Sequence, residues 1–353
     1  MISKRNLAIL AAVAVVLVGI SVLQNLGHRR ATSRAASTVL LPGARQADDL
    51  ARIELGQGAD ARLVVLANGP DGWTVETSWG ARASRERIDA LLRSLADLSG
   101  EFRSGKRDVL PDFGLDEGAA VKIRAFGKDG QPALSLDVGN RPEGAAGSFV
   151  KLPGKDDVYL TQAGILAELG IYGPPQKPGA RYFLDLQAVK EDRAAVDAVR
   201  LRDASGAREF TKVFSDPAAA AARPAPGDSA AAATAAAARA TWEWKLAGGG
   251  RAQPLAKTKV DAVLNSVVNI RASDLDDPAA PAARYGLDAP TREATLVLAD
   301  GRQVTLEFGA DRPAAGEHPA GTWLRVRGQP GVWVVTEYTV KNIFKPLGEL
   351  KPD

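Results

Sequence analysis

Few side chains in this 353-residue chain could do chemistry: it has no Cys, and its only His are His28 and His318. Without thiols, disulfides, thiolate nucleophiles, iron–sulfur clusters and cysteine–zinc sites are excluded. Two His so far apart make no multi-histidine metal site. Gly56-Gln57-Gly58-Ala59-Asp60-Ala61 has the spacing of a dinucleotide-binding turn, but that chemistry needs a helix next, so that its amides meet a pyrophosphate. Another strand-like run, residues 62–66, follows instead, which makes this a hairpin turn. Residues 100–106 (GEFRSGK) approach a phosphate loop, yet Arg107 stands where Ser or Thr must ligate Mg²⁺, and a helical pattern precedes it.

Asp274, Asp276 and Asp277 form one acidic cluster, Asp156 and Asp157 another. A calcium loop needs further alternate oxygen ligands and a closing Glu; Pro278-Ala279-Ala280-Pro281 follows, so a solvated loop is expected. No G-x-S-x-G occurs, His28 adjoins an apolar run and His318 sits in a Gly/Pro loop, so no Ser–His–Asp set is expected. A hydrolytic carboxylate pair stays open, since any two acids can meet in space. The expected catalytic, cofactor-binding and metal-ligating residues are none.

What remains is an interaction surface. Trp73, Trp244, Trp323, Trp333, Tyr159 and Tyr285 fall mostly at matched strand positions in the two halves of the chain. Strand aromatics ordinarily pack a sheet; the alternative is a groove for glycan or peptide. Tyr285, Asp288, Trp323 and Trp333 are its candidate contacts.

The elements that would position them come in two copies, about 172 residues apart. Ile88, Leu91, Leu92, Leu95 and Leu98 fall at the same helical offsets as Val260, Val263, Leu264, Val267 and Ile270, with Ser84 and Thr258 as expected N-caps. Phe113-Gly114-Leu115-Asp116 matches Tyr285-Gly286-Leu287-Asp288. Phe149-Val150-Lys151 matches Trp323-Leu324-Arg325, and each copy closes on a short helix capped by Thr161 or Thr336. Each copy reads β-β-β-α-β-β-β-β-α, with hairpins at Lys128-Asp129-Gly130 and Ala299-Asp300-Gly301. The expected class is α+β: tandem antiparallel-sheet-plus-helix units after an N-terminal transmembrane helix. The expected boundaries are an anchor at 1–27, a linker at 28–47, and repeats at 48–172 and 180–351, with a disordered Ala/Pro-rich insertion at 216–240.

The anchor is the uncharged run 7–26, from Leu7 through Leu17 and Leu23 to Leu26. Twenty helical residues rise about 30 Å, the depth of a bilayer core. A cleaved signal peptide is the alternative, but no small-x-small site directly follows the run. Lys+Arg number 45 against 42 Asp+Glu, a net +3. Five of the cations (Lys4, Arg5, Arg29, Arg30, Arg34) lie in the first 34 residues, which hold no acid. Beyond them acids outnumber cations by two, so the basic balance marks no nucleic-acid face. A basic-then-apolar start is what the export machinery reads, which places the body outside the cytoplasm.

The succession of Trp, amphipathic helix, Phe113-Gly-Leu-Asp or Tyr285-Gly-Leu-Asp-Ala-Pro290, and the later paired strands resembles the domain of unknown function forty-three-forty family, over residues 48–350. The first copy departs from it: Phe113 replaces Tyr, and Glu117-Gly118 replaces x-Pro. The resemblance implies bacterial envelope proteins with one N-terminal span, often encoded beside the permease and auxiliary extracytoplasmic subunit of gliding-motility-type ABC transporters, and the expected location of this chain is the inner membrane. It brings no catalytic residues and no cofactor. The expectation is therefore a non-enzymatic, single-pass accessory protein with an extracytoplasmic body. Its partners would be the lipid bilayer through residues 7–26 and ABC transporter subunits. The alternative is an extracytoplasmic module binding cell-wall glycan or peptide.

Overall fold

Period-two burial builds the sheets. Along β7 (Val121–Gly127), Val121, Ile123 and Ala125 are buried while Lys122 and Arg124 stay half-exposed, the signature of a strand with one face on a core. The computed structural model describes residues 37–43, 45–222, 229–247, 255–316 and 318–352. The expected span, with Leu7, Leu17, Leu23 and Leu26, lies outside the described residues. Among those described, no helix is long and apolar enough to cross a membrane.

The chain divides into two units, Met1–Leu184 and Asp185–Asp353. In the first, β1 (Ser37–Leu41), β2 (Leu50–Gln57), β3 (Asp60–Gly69), β4 (Gly72–Val75) and β5 (Ala81–Arg82) precede helix α1 (Arg85–Leu95). Then come β6 (Leu98–Ser104), β7, β8 (Pro132–Val138), β9 (Ser148–Lys151) and β10 (Val158–Thr161). They form one antiparallel sheet in the order β1-β6-β10-β9-β8-β7-β2-β3-β4-β5.

The second unit holds β11 (Gln187–Lys190), β12 (Val196–Asp203), β13 (Gly206–Phe214), helices α2 (Pro217–Ala221) and α3 (Ser229–Arg239), and β14 (Trp242–Leu246). After α4 (Lys257–Val268) come β15 (Asn269–Arg271), β16 (Asp274–Asp276), β17 (Arg292–Leu298), β18 (Gln303–Arg312), β19 (Gly321–Val326), β20 (Val332–Val335) and α5 (Glu337–Ile343). Its sheet runs β14-β13-β12-β17-β18-β19-β20-β16, with β11 and β15 as a separate pair. That pair is the broken end of the same pattern. Leu41 lies opposite Leu98 in the first unit, as Val189 lies opposite Ile270 in the second. Between β15 and β16, Ala272 N donates to Leu186 O and Ser273 N to Val334 O, so the chain changes partners there. The strand order from β1 to β4 of the first unit thus recurs in the second, while the edge strand β5 has no counterpart among the described residues.

Each long helix buries the stripe read from sequence: Ile88, Leu91, Leu92 and Leu95 in α1, and Val260, Val263, Leu264 and Val267 in α4. Several local expectations are corrected. Ser84 sits at an N-cap but makes no capping bond with its side chain, and Thr258 lies inside α4, whose N-cap is Ala256. The returning chain fixes both helix starts instead: Ser84 N donates to Phe183 O (2.7 Å) and Ala256 N to Leu350 O (2.8 Å). The first of these bonds also ties residues 180–184 to the first unit, ahead of the expected second repeat. Thr336 caps α5, accepting from Thr339 N, but Thr161 accepts from Ala163 N and only a 3-10 turn, Ala167–Leu169, follows.

Part of the expected linker pairs as β1. The Ala-rich insertion, expected to be disordered, carries α2 and α3. Arg239 fastens them, donating to Ala194 O (3.0 Å) and Ala220 O (3.1 Å) and pairing with Asp197. Buried Ala220 and Ala235 make the contact, which no large apolar stripe announces.

The repeated Phe/Tyr-Gly-Leu-Asp segment is a turn. Gly114 (φ 63°) and Gly286 (φ 64°) end the 3-10 turns Arg107–Phe113 and Ala282–Tyr285 in the left-handed region, where a Cβ is costly. Leu115 and Leu287 then enter the core. The carbonyls of Phe113 and Tyr285 press on Gly139 and Gly309, where any Cβ would overlap them. Gly309→Ala is therefore expected to destabilise the second unit by about 1–3 kcal/mol, the range for overpacking. Gly348→Ala, with nothing near its added Cβ, should leave the urea midpoint unchanged.

Candidate functional site

Beside the Tyr285 turn, β16 brings an ionic cluster together. Its three-residue pairing with β20 sets Asp274 opposite Val334 and Asp276 opposite Val332. Asp274, 2% exposed, accepts from Arg312 Nη2 (2.8 Å) and is bonded to His318 Nδ1 (2.8 Å), both through Oδ2. Arg312, 8% exposed, also donates to Pro319 O (2.8 Å) and lies 3.6 Å from Asp276 Oδ2. Burial alone would raise the Asp274 pKa. The bonds from His318 and Arg312 outweigh it and hold the carboxyl below the usual carboxylate range.

Tyr285 is fully buried. Its hydroxyl donates to Asp277 O (2.8 Å) and lies 3.4 Å from Asp276 Oδ1. Burial, then the nearby Asp276 charge, pushes its phenol upward. Trp323 is half-buried, tilted against Tyr285 at 5.3 Å between centroids, and donates Nε1–H to Asp276 Oδ2 (3.2 Å). Trp333 is buried opposite Leu275 and Leu324. Asp288 is exposed and makes none of these contacts. Of the four candidate surface residues, Tyr285 and Trp323 meet, while Tyr285 and Trp333 offer no exposed face.

The acidic cluster is thus not the solvated loop expected of it. Asp274 and Arg312 are interior, and the partnership of residues 274, 312 and 318 joins positions with no sequence signal linking them. Their chemistry is mutual satisfaction. Asp274 orients His318, whose side chain is otherwise more than half exposed, but among the described residues no hydroxyl stands within hydrogen-bond reach of it to serve as a nucleophile. Among the same residues, no group of three or more His, Asp or Glu side chains is placed to hold a metal ion.

The first unit answers this cluster with apolar packing. Phe113 and Phe149 stand edge to face at 4.8 Å over Leu110, Leu115 and Val158. Ser104 takes the register position of Asp276, opposite Val158. One ionic feature is common to both units. Asp137 lies opposite Lys151 and binds it (3.0 Å), as Glu307 lies opposite Arg325 and binds it (2.6 Å). The second cation differs in origin: Arg124 from β7 on Asp137, Arg327 from the turn just past β19 on Glu307.

A second cluster, missed from sequence, surrounds Trp242. Lys212 Nζ (4.1 Å) and Lys257 Nζ (4.0 Å) lie over its ring. Asp261 accepts from Trp244 Nε1 (2.7 Å) and pairs with Lys257 and Arg193 (2.8 Å each). Lys212 is 4% exposed; burial, then the Arg239 and Arg193 charges, lowers its pKa to about 8.

Compared with known proteins, the chain matches the family model described as Domain of unknown function (DUF4340) at residues 73–170 and 244–347. No curated protein and no solved structure matches it.

Proposed function

The chain belongs to the DUF4340 family of domains of unknown function, in two tandem copies, and from that premise we propose a non-enzymatic, membrane-anchored extracytoplasmic accessory protein of an ABC-type transporter or gliding-type assembly. The observation that carries this reading is the uncharged run 7–26 ahead of two repeated units. The run supplies location, and the paired units supply docking surface. Buried charges satisfied by internal partners fit a scaffold better than a reaction centre, which keeps groups free for substrate.

Crosslinking of the tagged full-length protein in its native membranes, followed by identification of what co-purifies, tests the reading. ABC permease or auxiliary subunits are expected. Recovery of cell-wall material alone would transfer the assignment to the glycan- or peptide-binding module, for which half-buried Trp323 is the available contact. The anchor has its own test. Leu17→Arg places a charge at mid-span, at a cost of about 2.5–3.5 kcal/mol on insertion scales. It is expected to move the protein from the carbonate-resistant membrane fraction into the soluble one; retention in the membrane would refute the anchor.

A further inference from the structure

The two units close by different routes to the same point. In the first, the chain leaves the turn Ala167–Leu169, crosses residues 170–179 and enters the 3-10 turn Ala180–Phe183. In the second, residues 344–346 suffice to join α5 to the 3-10 turn Leu347–Leu350. The endpoints are equivalent, because Phe183 O and Leu350 O receive the same bond from the start of each long helix. The longer route lies across the β2–β3 hairpin tip. Lys177 Nζ sits 2.9 Å from Asp60 Oδ2, and Pro178 is buried.

In the second unit the short route leaves the matching tip, between Asp203 and Gly206, beside a cavity of about 880 Å³. Leu246, Val340, Phe344 and Leu347 give it an apolar wall, and Arg208, Arg292 and Lys341 bring three cations. Asp203 also lines it, but Arg208 already holds that carboxylate at 2.8 Å. Lys341 meets Glu337 at 2.7 Å, a largely exposed pair that holds the amine weakly. Arg292 has no ion pair or side-chain hydrogen bond among the described residues. The lining therefore carries spare positive charge next to apolar surface, at a size typical of ligand pockets.

We infer that this cavity docks an extended acidic segment of a partner polypeptide, in the place that residues 170–179 occupy from within in the first unit. Apolar side chains of the segment would lie on half-buried Phe344 and Leu347, and its carboxylates would meet Arg292 and Lys341. Charge of that sign sets register and speeds encounter. The inference rests on the docking reading above but not on a transporter as the partner.

The test places the photo-crosslinker p-benzoylphenylalanine at Thr291, which lines the cavity, in the full chain in its native membranes. The same probe at exposed Tyr172 of the first unit serves as control. Adducts mapped by mass spectrometry to an acidic stretch of another polypeptide are expected at Thr291 and not at Tyr172. Arg292→Glu should reduce them at least tenfold. Inserting the 170–179 sequence between Pro346 and Leu347, which keeps Phe344 in the wall, should abolish them, with the thermal midpoint confirming that the graft folds. Adducts to lipid or to this chain alone, no adduct above control, or a protein adduct indifferent to Arg292→Glu would each overturn the inference. A partner that is acidic but no transporter subunit would preserve it while sinking the transporter assignment.

Discussion

Asp274→Ala is expected to lower the stability of the second unit by about 3–5 kcal/mol, the range for removing one partner of a buried ion pair. The cost comes less from the lost bond than from what remains. Arg312 would stay interior with only Asp276, at 3.6 Å, and the Pro319 carbonyl to answer its charge. His318 would lose its anchor on β16 as well. Replacing both ends, Asp274→Leu with Arg312→Met, should recover most of the loss, because an apolar pair of similar size carries no charge to desolvate. The first unit already packs the equivalent turn with Phe113 and Phe149. Urea unfolding followed by tryptophan fluorescence measures both variants. The sign of the pH dependence follows from the lowered Asp274 pKa. The stabilisation is present above the unfolded carboxyl value, about 3.9, and disappears as pH falls through the lower folded value, so the wild type should lose more stability on acidification than Asp274→Asn. A single variant as destabilised as Asp274→Ala, with no recovery in the double variant, would mean that the cluster matters through packing and not through charge.

The duplication was legible because it is written in local pattern. Apolar offsets in α1 and α4 agree residue for residue, and the Gly114 and Gly286 turns need the same left-handed backbone in both copies. Asp-Gly turns marked the hairpins for the same reason. What stayed hidden is long-range. The helix starts are set by carbonyls from the returning chain at Phe183 and Leu350, so no capping residue announces them. The switch of partners at Ala272 and Ser273 splits one strand into β15 and β16 without any proline or glycine to signal it. The acids at 274 and 276 resemble any solvated Asp cluster until β18 brings Arg312, and the bridge of Ala315 to His318 brings His318, over them. The Ala-rich insertion misled for a related reason: α2 and α3 are held by one arginine and two buried alanines, too little apolar surface to make a stripe.

Lys212 should make the second unit more stable as pH rises from 8 to 10, the reverse of the alkaline weakening most domains show. Its amine donates to Arg193 O (2.6 Å) and touches the Trp242 ring. Arg193 and Arg239 face it as like charges, Lys257 shares the same ring, and Asp197 and Asp261 attract it. Burial and the two arginines prevail, lowering its pKa to about 8 against about 10.4 in an unfolded chain. Below pH 8 both states hold the proton, and the folded state bears the full cost of a buried ammonium. Between 8 and 10.4 only the unfolded state remains protonated, so stability climbs with pH, by about 3 kcal/mol across the window. Tyr285, shifted upward by burial, works the other way once the unfolded phenol ionises near pH 10, which bounds the useful range. Lys212→Met keeps the stem over Trp242 and removes the proton. It should flatten the rise and stabilise the unit at pH 7 by about 1–3 kcal/mol, less than the full amount because the attraction of a cation to the ring is worth about 0.5–2 kcal/mol. Thermal midpoints of both proteins from pH 7 to 10 decide the matter. A wild-type midpoint that falls with pH would refute the lowered Lys212 pKa, and a rise that survives Lys212→Met would place the proton on another group.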